Sequence, residues 1–326
     1  MSFDADLIVD RRRMRRKLTF WRVVTVFVVI VAVVGAGLAF SNRGAITGGP
    51  GGGIARVNIE GLIRGSRPRS EALERLAESN AKAVIVHINS PGGTVAGSEE
   101  LYDSLIKVKA KKPMVVVVDG LAASGGYIAA MASDRIVAQQ SAIVGSIGVI
   151  FQYPNVTELL KTIGVQVETI KSSPLKAAPS GYEPTTPEAR AAVESIVRDS
   201  FDWFKGLVRD RRHLDDALLQ KVSDGRVFTG RQAVELKLID GLGDEQAAID
   251  WLAKEKNIDP KTPVRDYPLA PRFSDLPFLH VAALGLLDAV GLNGLAERFR
   301  EFGAIQAVER LNLDGLLALW HPPSSN

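Results

Sequence analysis

Ser124 lies in Gly120-Leu121-Ala122-Ala123-Ser124-Gly125-Gly126-Tyr127, a run of small residues between an apolar stretch and a helical pattern. Small neighbours let a substrate backbone approach closely. A helix starting near Ser124 would aim N–H groups that lack intrahelical acceptors at the same point. An oxyanion needs that arrangement, so Ser124 is a candidate nucleophile. The competing reading is an ordinary N-capping serine.

A serine nucleophile needs a proton acceptor, and the histidines on offer are His87, His213, His280 and His321. His87 falls in a strand beside a second glycine-rich turn and is the one triad candidate; packing within the strand is its commoner fate. His213 sits in a charged run, and His280 and His321 come late in the chain. A lysine kept neutral by desolvation can do the same work. In Ile170-Lys171-Ser172-Ser173-Pro174-Leu175-Lys176-Ala177-Ala178-Pro179, Lys176 has apolar neighbours on both sides, and Lys171 is the alternative base. The ordinary reading of either is a solvated surface charge. Cysteine is absent, which excludes a thiol nucleophile, disulfides and thiolate metal sites. No HExxH pattern occurs, so neither a metal nor a cofactor is expected.

The elements that must position these residues alternate. Arg56 to Ile59, Ala83 to Val86 and Met114 to Val118 read as strands, while Ser70 to Leu76 and Glu99 to Lys109 read as helices. Alternation of this kind predicts an α/β domain with a mostly parallel sheet and crossover helices, whose ligand sites lie at strand ends. Two glycine-rich turns are expected at such ends: Asn89-Ser90-Pro91-Gly92-Gly93 and the run around Ser124.

At 326 residues, 46% hydrophobic and 24% charged, the chain can bury one sizeable core. Its net charge of +3 is unevenly placed: residues 1–22 hold seven Lys/Arg against three Asp, a local +4 that leaves −1 for the rest. A nearly neutral remainder argues against nucleic acid as a partner. From Val23 to Phe40 run eighteen residues whose one clearly polar member is Thr25. That length crosses about 30 Å of hydrocarbon at ~1.5 Å per residue. Trp21 and Arg22 sit at its entry, and the cations before it place the N-terminus in the cytoplasm and the remainder outside. A cleaved leader is the competing reading, since Gly37-Leu38-Ala39 resembles a cleavage site, but the apolar stretch is longer than leaders carry. Ser41 to Gly53, with six glycines and a proline, reads as a tether. The expected organisation is a basic tail (1–22), a transmembrane helix (23–40), a linker (41–53), an α/β domain carrying the candidate nucleophile (54–255) and a C-terminal extension (256–326).

Taken together, Ile88-Asn89-Ser90-Pro91-Gly92-Gly93, Ala123-Ser124-Gly125-Gly126-Tyr127, Val144-Gly145-Ser146-Ile147-Gly148-Val149 and Ile170-Lys171-Ser172 with Lys176 resemble the signal peptide peptidase A family of bacteria. Its members are Ser-Lys peptidases with a fold related to Clp protease and crotonase, and the similarity covers roughly Ala55 to Leu252. The resemblance implies Ser124 as nucleophile, Lys176 as general base, and the N–H groups of Gly93 and Gly125 as the oxyanion hole. Gly92, Gly126, Ser146, Ile147 and Gly148 would line the cleft. One set of motifs marks the short form, whose members assemble into homo-oligomeric rings in which a neighbour can supply the lysine.

Gly225 to Ala233 and Leu238 to Gly243 resemble the closing segment of that family, with structural roles: a strand, a helix start at Thr229 and a glycine turn. Leu276 to Trp320 is apolar but contains no run of spanning length, and it could serve in assembly, as a lid or in membrane contact. The resulting expectation is a single-pass protein of the bacterial inner membrane. Its extracytoplasmic domain would hydrolyse hydrophobic peptides such as signal-peptide remnants. A related peptidase of membrane-protein quality control, a crotonase-like acyl-thioester enzyme and an inactive scaffold are the alternatives.

Overall fold

A computed structural model describes residues 17, 21, 52–269 and 317–319. The expected spanning segment 23–40, His280, His321 and most of the apolar C-terminal run lie outside the described residues. Among those described, no helix is long and apolar enough to cross a membrane.

Three long strands make the centre: β1 (Ile54–Ile63), β2 (Ala83–Thr94) and β3 (Met114–Ala123). They run parallel in the order β1-β2-β3. Parallel neighbours cannot be joined by a hairpin, so a helix crosses over each time: α1 (Arg67–Glu78) after β1 and α2 (Val95–Lys109) after β2. Val57, Val86, Ile88, Val116 and Val118 point to the side of the sheet where Leu73 and Leu76 of α1 and Leu101 and Leu105 of α2 are buried. Ile54, Ile85, Val115 and Val117 point to the other, against Ala248 and Leu252 of α8 (Glu245–Lys256). Covering on both faces is why these strands read as continuous apolar runs rather than as an alternation.

Short strands extend the sheet: β4 (Arg135–Ala138), β5 (Ile143–Gly145), β6 (Val227–Thr229), β7 (Gly241–Leu242), β8 (Val264–Asp266) and β9 (Leu317–Leu319). Along the main path the order is β6-β5-β3-β2-β1-β8, with β4 on β3, β7 on β4 and β9 on β2. All pairings are parallel except β5 with β6 and β2 with β9. The α/β class with a mostly parallel sheet is therefore observed.

The remaining helices are α3 (Gly125–Ala130), α4 (Thr157–Thr162), α5 (Pro187–Arg212), α6 (Asp216–Val222) and α7 (Gly230–Glu235). The start of α5 is set by Pro187 in the first turn and by Thr186, whose side chain accepts from the Ala189 N–H. Helix α7 begins with a capping box of Thr229 and Gln232, at the helix start expected from sequence.

Two boundaries differ from expectation. Gly52 and Gly53, assigned to the tether, pack against the domain: a Cβ at Gly52 would lie 1.7 Å from the Asn80 carbonyl oxygen, and one at Gly53 would lie 2.6 Å from that of Pro263. The expected end at residue 255 falls inside α8, and the sheet continues past it, since β8 pairs with β1 from Ile54 to Arg56.

Candidate active site

Ser124 stands between β3 and α3 with φ 53° and ψ −116°. Its N–H donates to the Gly145 carbonyl at 2.8 Å, which fixes the turn against the end of β5. The side chain makes no capping hydrogen bond, so the N-cap reading fails. The residue is 1% exposed, and its Oγ is buried without a hydrogen-bond partner. Just beyond, Tyr127 anchors α3 by donating its hydroxyl to the Leu238 carbonyl at 2.7 Å, and burial pushes its phenol above the usual range.

The Pro91-Gly92-Gly93 motif is strand rather than turn. β2 passes through it with an irregularity after Asn89, and Leu62 and Ile63 of β1 stand opposite Gly92 and Gly93. The Ser90 hydroxyl holds this irregular stretch, donating to the Gly61 carbonyl at 2.6 Å and accepting from the Gly92 N–H at 3.1 Å. Gly92 has φ 99°, a conformation that glycine alone takes freely. At Gly93 a Cβ would fall 1.8 Å from the Ile63 carbonyl oxygen, so no side chain fits between the two strands.

The motif and the serine turn are in contact. Ser90 pairs with Ala122, and a Cβ at Gly126 would lie 2.7 Å from the Ser90 carbonyl oxygen. The Gly145–Val149 segment leaves β5 as a loop, with Ser146 at φ 52° and its N–H donating to the Arg226 carbonyl at 2.8 Å. Ser146, Ile147 and Gly148 line a cleft of about 600 Å³ together with Ile150, Val197 and Phe201.

The candidate bases do not join this group within one chain. Ser124 Oγ has no partner, so none of Lys176, Lys171 or His87 bonds to it. Lys176 is exposed on the loop after α4. Lys171 Nζ pairs with Glu183 Oε2 at 2.7 Å, and this bond draws the Glu183 carboxyl below its usual range. His213 caps the C-terminus of α5 at φ 52°.

His87 belongs to a polar cluster whose full extent sequence reasoning missed. Its Nδ1 lies 3.0 Å from both oxygens of Asp119, and its Nε2 lies 2.9 Å from Glu245 Oε2. Arg56 donates from Nε and Nη2 to the two Glu245 oxygens, both at 2.6 Å, and from Nη1 to Asp266 at 2.9 Å. Arg56 holds the Glu245 carboxyl below its usual range, and the two carboxylates raise the guanidinium in turn. The cluster ties β1, β2 and β3 to α8 and β8. Its one advance signal is that Arg56, His87 and Asp119 interrupt apolar strands.

Residues 106–259 match Peptidase family S49. A protein of Synechocystis sp. whose name describes it as a protease is 37% identical over 209 residues, spanning 64% of this chain and 76% of its own length. The chain belongs to peptidase family S49. A Methanocaldococcus jannaschii protein, also named as a protease, is 35% identical and aligned over 56% of this chain and 58% of its own. An Enterococcus faecium protein bearing the name signal peptide peptidase SppA is likewise 35% identical, over 58% of this chain and 56% of its own. This S49 member is accordingly an SppA-type serine peptidase, although the chain spans under three fifths of the latter two relatives. Among solved structures, a ClpP1 mutant from Listeria monocytogenes superposes with a TM-score of 0.40 at 17% identity, over 58% of this chain and 91% of the other.

Proposed function

We propose that this S49 peptidase is a membrane-anchored endopeptidase of hydrophobic peptides, signal-peptide remnants among them, with Ser124 as nucleophile and Lys176 as general base. The observation that carries the reading is the buried, unpartnered Oγ of Ser124 at a left-handed turn, in contact with the glycine strand. In this scheme Oγ attacks the scissile carbonyl carbon, and its proton passes to Lys176 Nζ and then to the leaving amine. Water hydrolyses the resulting ester. The N–H groups of Gly93 and Gly125 hold the oxyanion. Val23 to Phe40 would anchor the chain, with the basic tail in the cytoplasm and the domain beyond the bacterial inner membrane.

The exposed position of Lys176 supports a site completed between copies. Ten of the fourteen exposed large apolar side chains among the described residues fall between Ile150 and Ile196, in the segment that carries both lysines. Exposed apolar side chains gathered in one segment suit burial against a partner. Packing that segment on the next copy in a ring supplies the desolvation that a lysine base requires.

The test is cleavage of a fluorogenic apolar peptide by the detergent-solubilised full chain. Ser124→Ala and Lys176→Ala each lower kcat/KM by about 10³-fold or more, and Lys171→Ala and His87→Ala stay within a few-fold of wild type. Co-assembly of equal amounts of the Ser124→Ala and Lys176→Ala chains restores about a quarter of the activity, because in a mixed ring one site in four joins an intact serine to a neighbour's intact lysine. Full activity in Ser124→Ala would end this reading. Loss in His87→Ala with Lys176→Ala intact would move the base to histidine.

A further inference from the structure

At Gly92–Thr94 the strand β2 has two different edges. One keeps β1, through Leu62 and Ile63. The other is vacated by β3, whose last pair with β2 is Ala122 with Ser90, before the chain turns at Ser124 into α3. β9 fills the vacated edge, with Leu319 opposite Gly92, Ala318 opposite Gly93 and Leu317 opposite Thr94, all antiparallel. On its far side β9 meets the loop after β5. The Ile150 N–H donates to the Leu317 carbonyl at 3.0 Å, and the Leu317 N–H donates to the Ile150 carbonyl at 3.1 Å. Leu317–Leu319 thus spans the gap between the glycine strand and the edge of the cleft that Ile150 lines.

We propose that β9 is an occupant of the peptide groove supplied by the chain itself, which competes in cis with an incoming substrate and holds the site closed until it is displaced. The inference rests on the reading of Ser124 as nucleophile and Gly93 as oxyanion donor. Three features favour an occupant over a fixed part of the sheet. Main-chain hydrogen bonds to a strand edge are available to any extended peptide, so what β9 makes here a substrate can make in its place. The strand is three residues long, at the short end of the usual range, so few hydrogen bonds must break to release it, and Leu317 is only partly buried. Its sequence, Leu-Ala-Leu, belongs to the same apolar class as the proposed substrates.

The competition is read by binding, which needs no turnover. The probe is a fluorescein-labelled hexapeptide with the sequence of Gly315 to Trp320, titrated by anisotropy against the full chain in detergent with Ser124→Ala in place. Addition of Leu317→Pro removes the N–H that bonds to Ile150 and disfavours the strand. The labelled peptide then binds about tenfold tighter or better, because the fraction of chains with an open groove rises. Amide exchange provides a second reading: the Ile150 N–H is protected in the unsubstituted chain and exchanges freely once Leu317→Pro is present. Equal affinity with and without Leu317→Pro, or an Ile150 amide that exchanges freely in the unsubstituted chain, overturns the proposal. Neither result depends on hydrolysis, so a failure here is separate from a failure of Ser124→Ala to abolish activity.

Discussion

At Ser124 the backbone has φ 53° and ψ −116°, a conformation that a residue with a Cβ adopts at a cost of about 1–3 kcal/mol. Its hydroxyl is also buried with no partner. Glycine relieves both burdens, and its greater freedom in the unfolded chain takes back only about 0.5–1 kcal/mol. Ser124→Gly should therefore raise the thermal midpoint by about 2–4 °C while abolishing hydrolysis. Thermal denaturation of the two proteins in one detergent checks it, and a lower midpoint in the glycine variant would show that the turn is unstrained. The candidate nucleophile was legible because small residues flank it on both sides. The lysines were less separable, since apolar neighbours on both sides of Lys176 against one side of Lys171 do not show which of them is paired. What distinguishes them is Glu183, which takes Lys171 from twelve residues downstream and which no spacing rule links to it.

Among the elements, α8 is tied to β1 and β2 by Glu245, which receives Arg56 and His87 together. Its carboxyl is held below the usual range, chiefly by Arg56, so the stabilisation is complete above the unfolded value of about 4.3 and is lost as pH falls through the lower folded value. Glu245→Gln should cost about 2 kcal/mol near neutrality, and the difference from wild type should close in acid. Midpoints measured from pH 7 to pH 3 test this; a gap that stays constant would assign the loss to shape rather than charge. The alternating helices and strands were readable from sequence because the apolar runs end in turn residues. The continuation of β2 through Pro91-Gly92-Gly93 was not. Proline and two glycines signal a turn, and the strand persists there where the Ser90 hydroxyl and the paired edges of β1 and β9 hold it. β8 escaped notice because three residues carry no periodicity.

For the whole molecule, the exposed apolar side chains are placed too unevenly to be incidental. Ile170 is fully exposed, and Leu159, Ile163 and Tyr182 are each more than half exposed. If this face packs on a second copy, Ile170→Asp should reduce the mass of the detergent-solubilised particle toward that of one chain and lower peptidase activity at least tenfold, without lowering the thermal midpoint of the domain. A particle of unchanged mass would mean that the face serves something else. On the proposed reading, the distance between a buried serine and an exposed lysine also sets when hydrolysis can begin. A newly made chain, alone in the bilayer, carries a nucleophile without a base and leaves the proteins around it intact. Proteolysis starts only when copies have accumulated densely enough to meet, so its rate climbs more steeply than the amount of protein present.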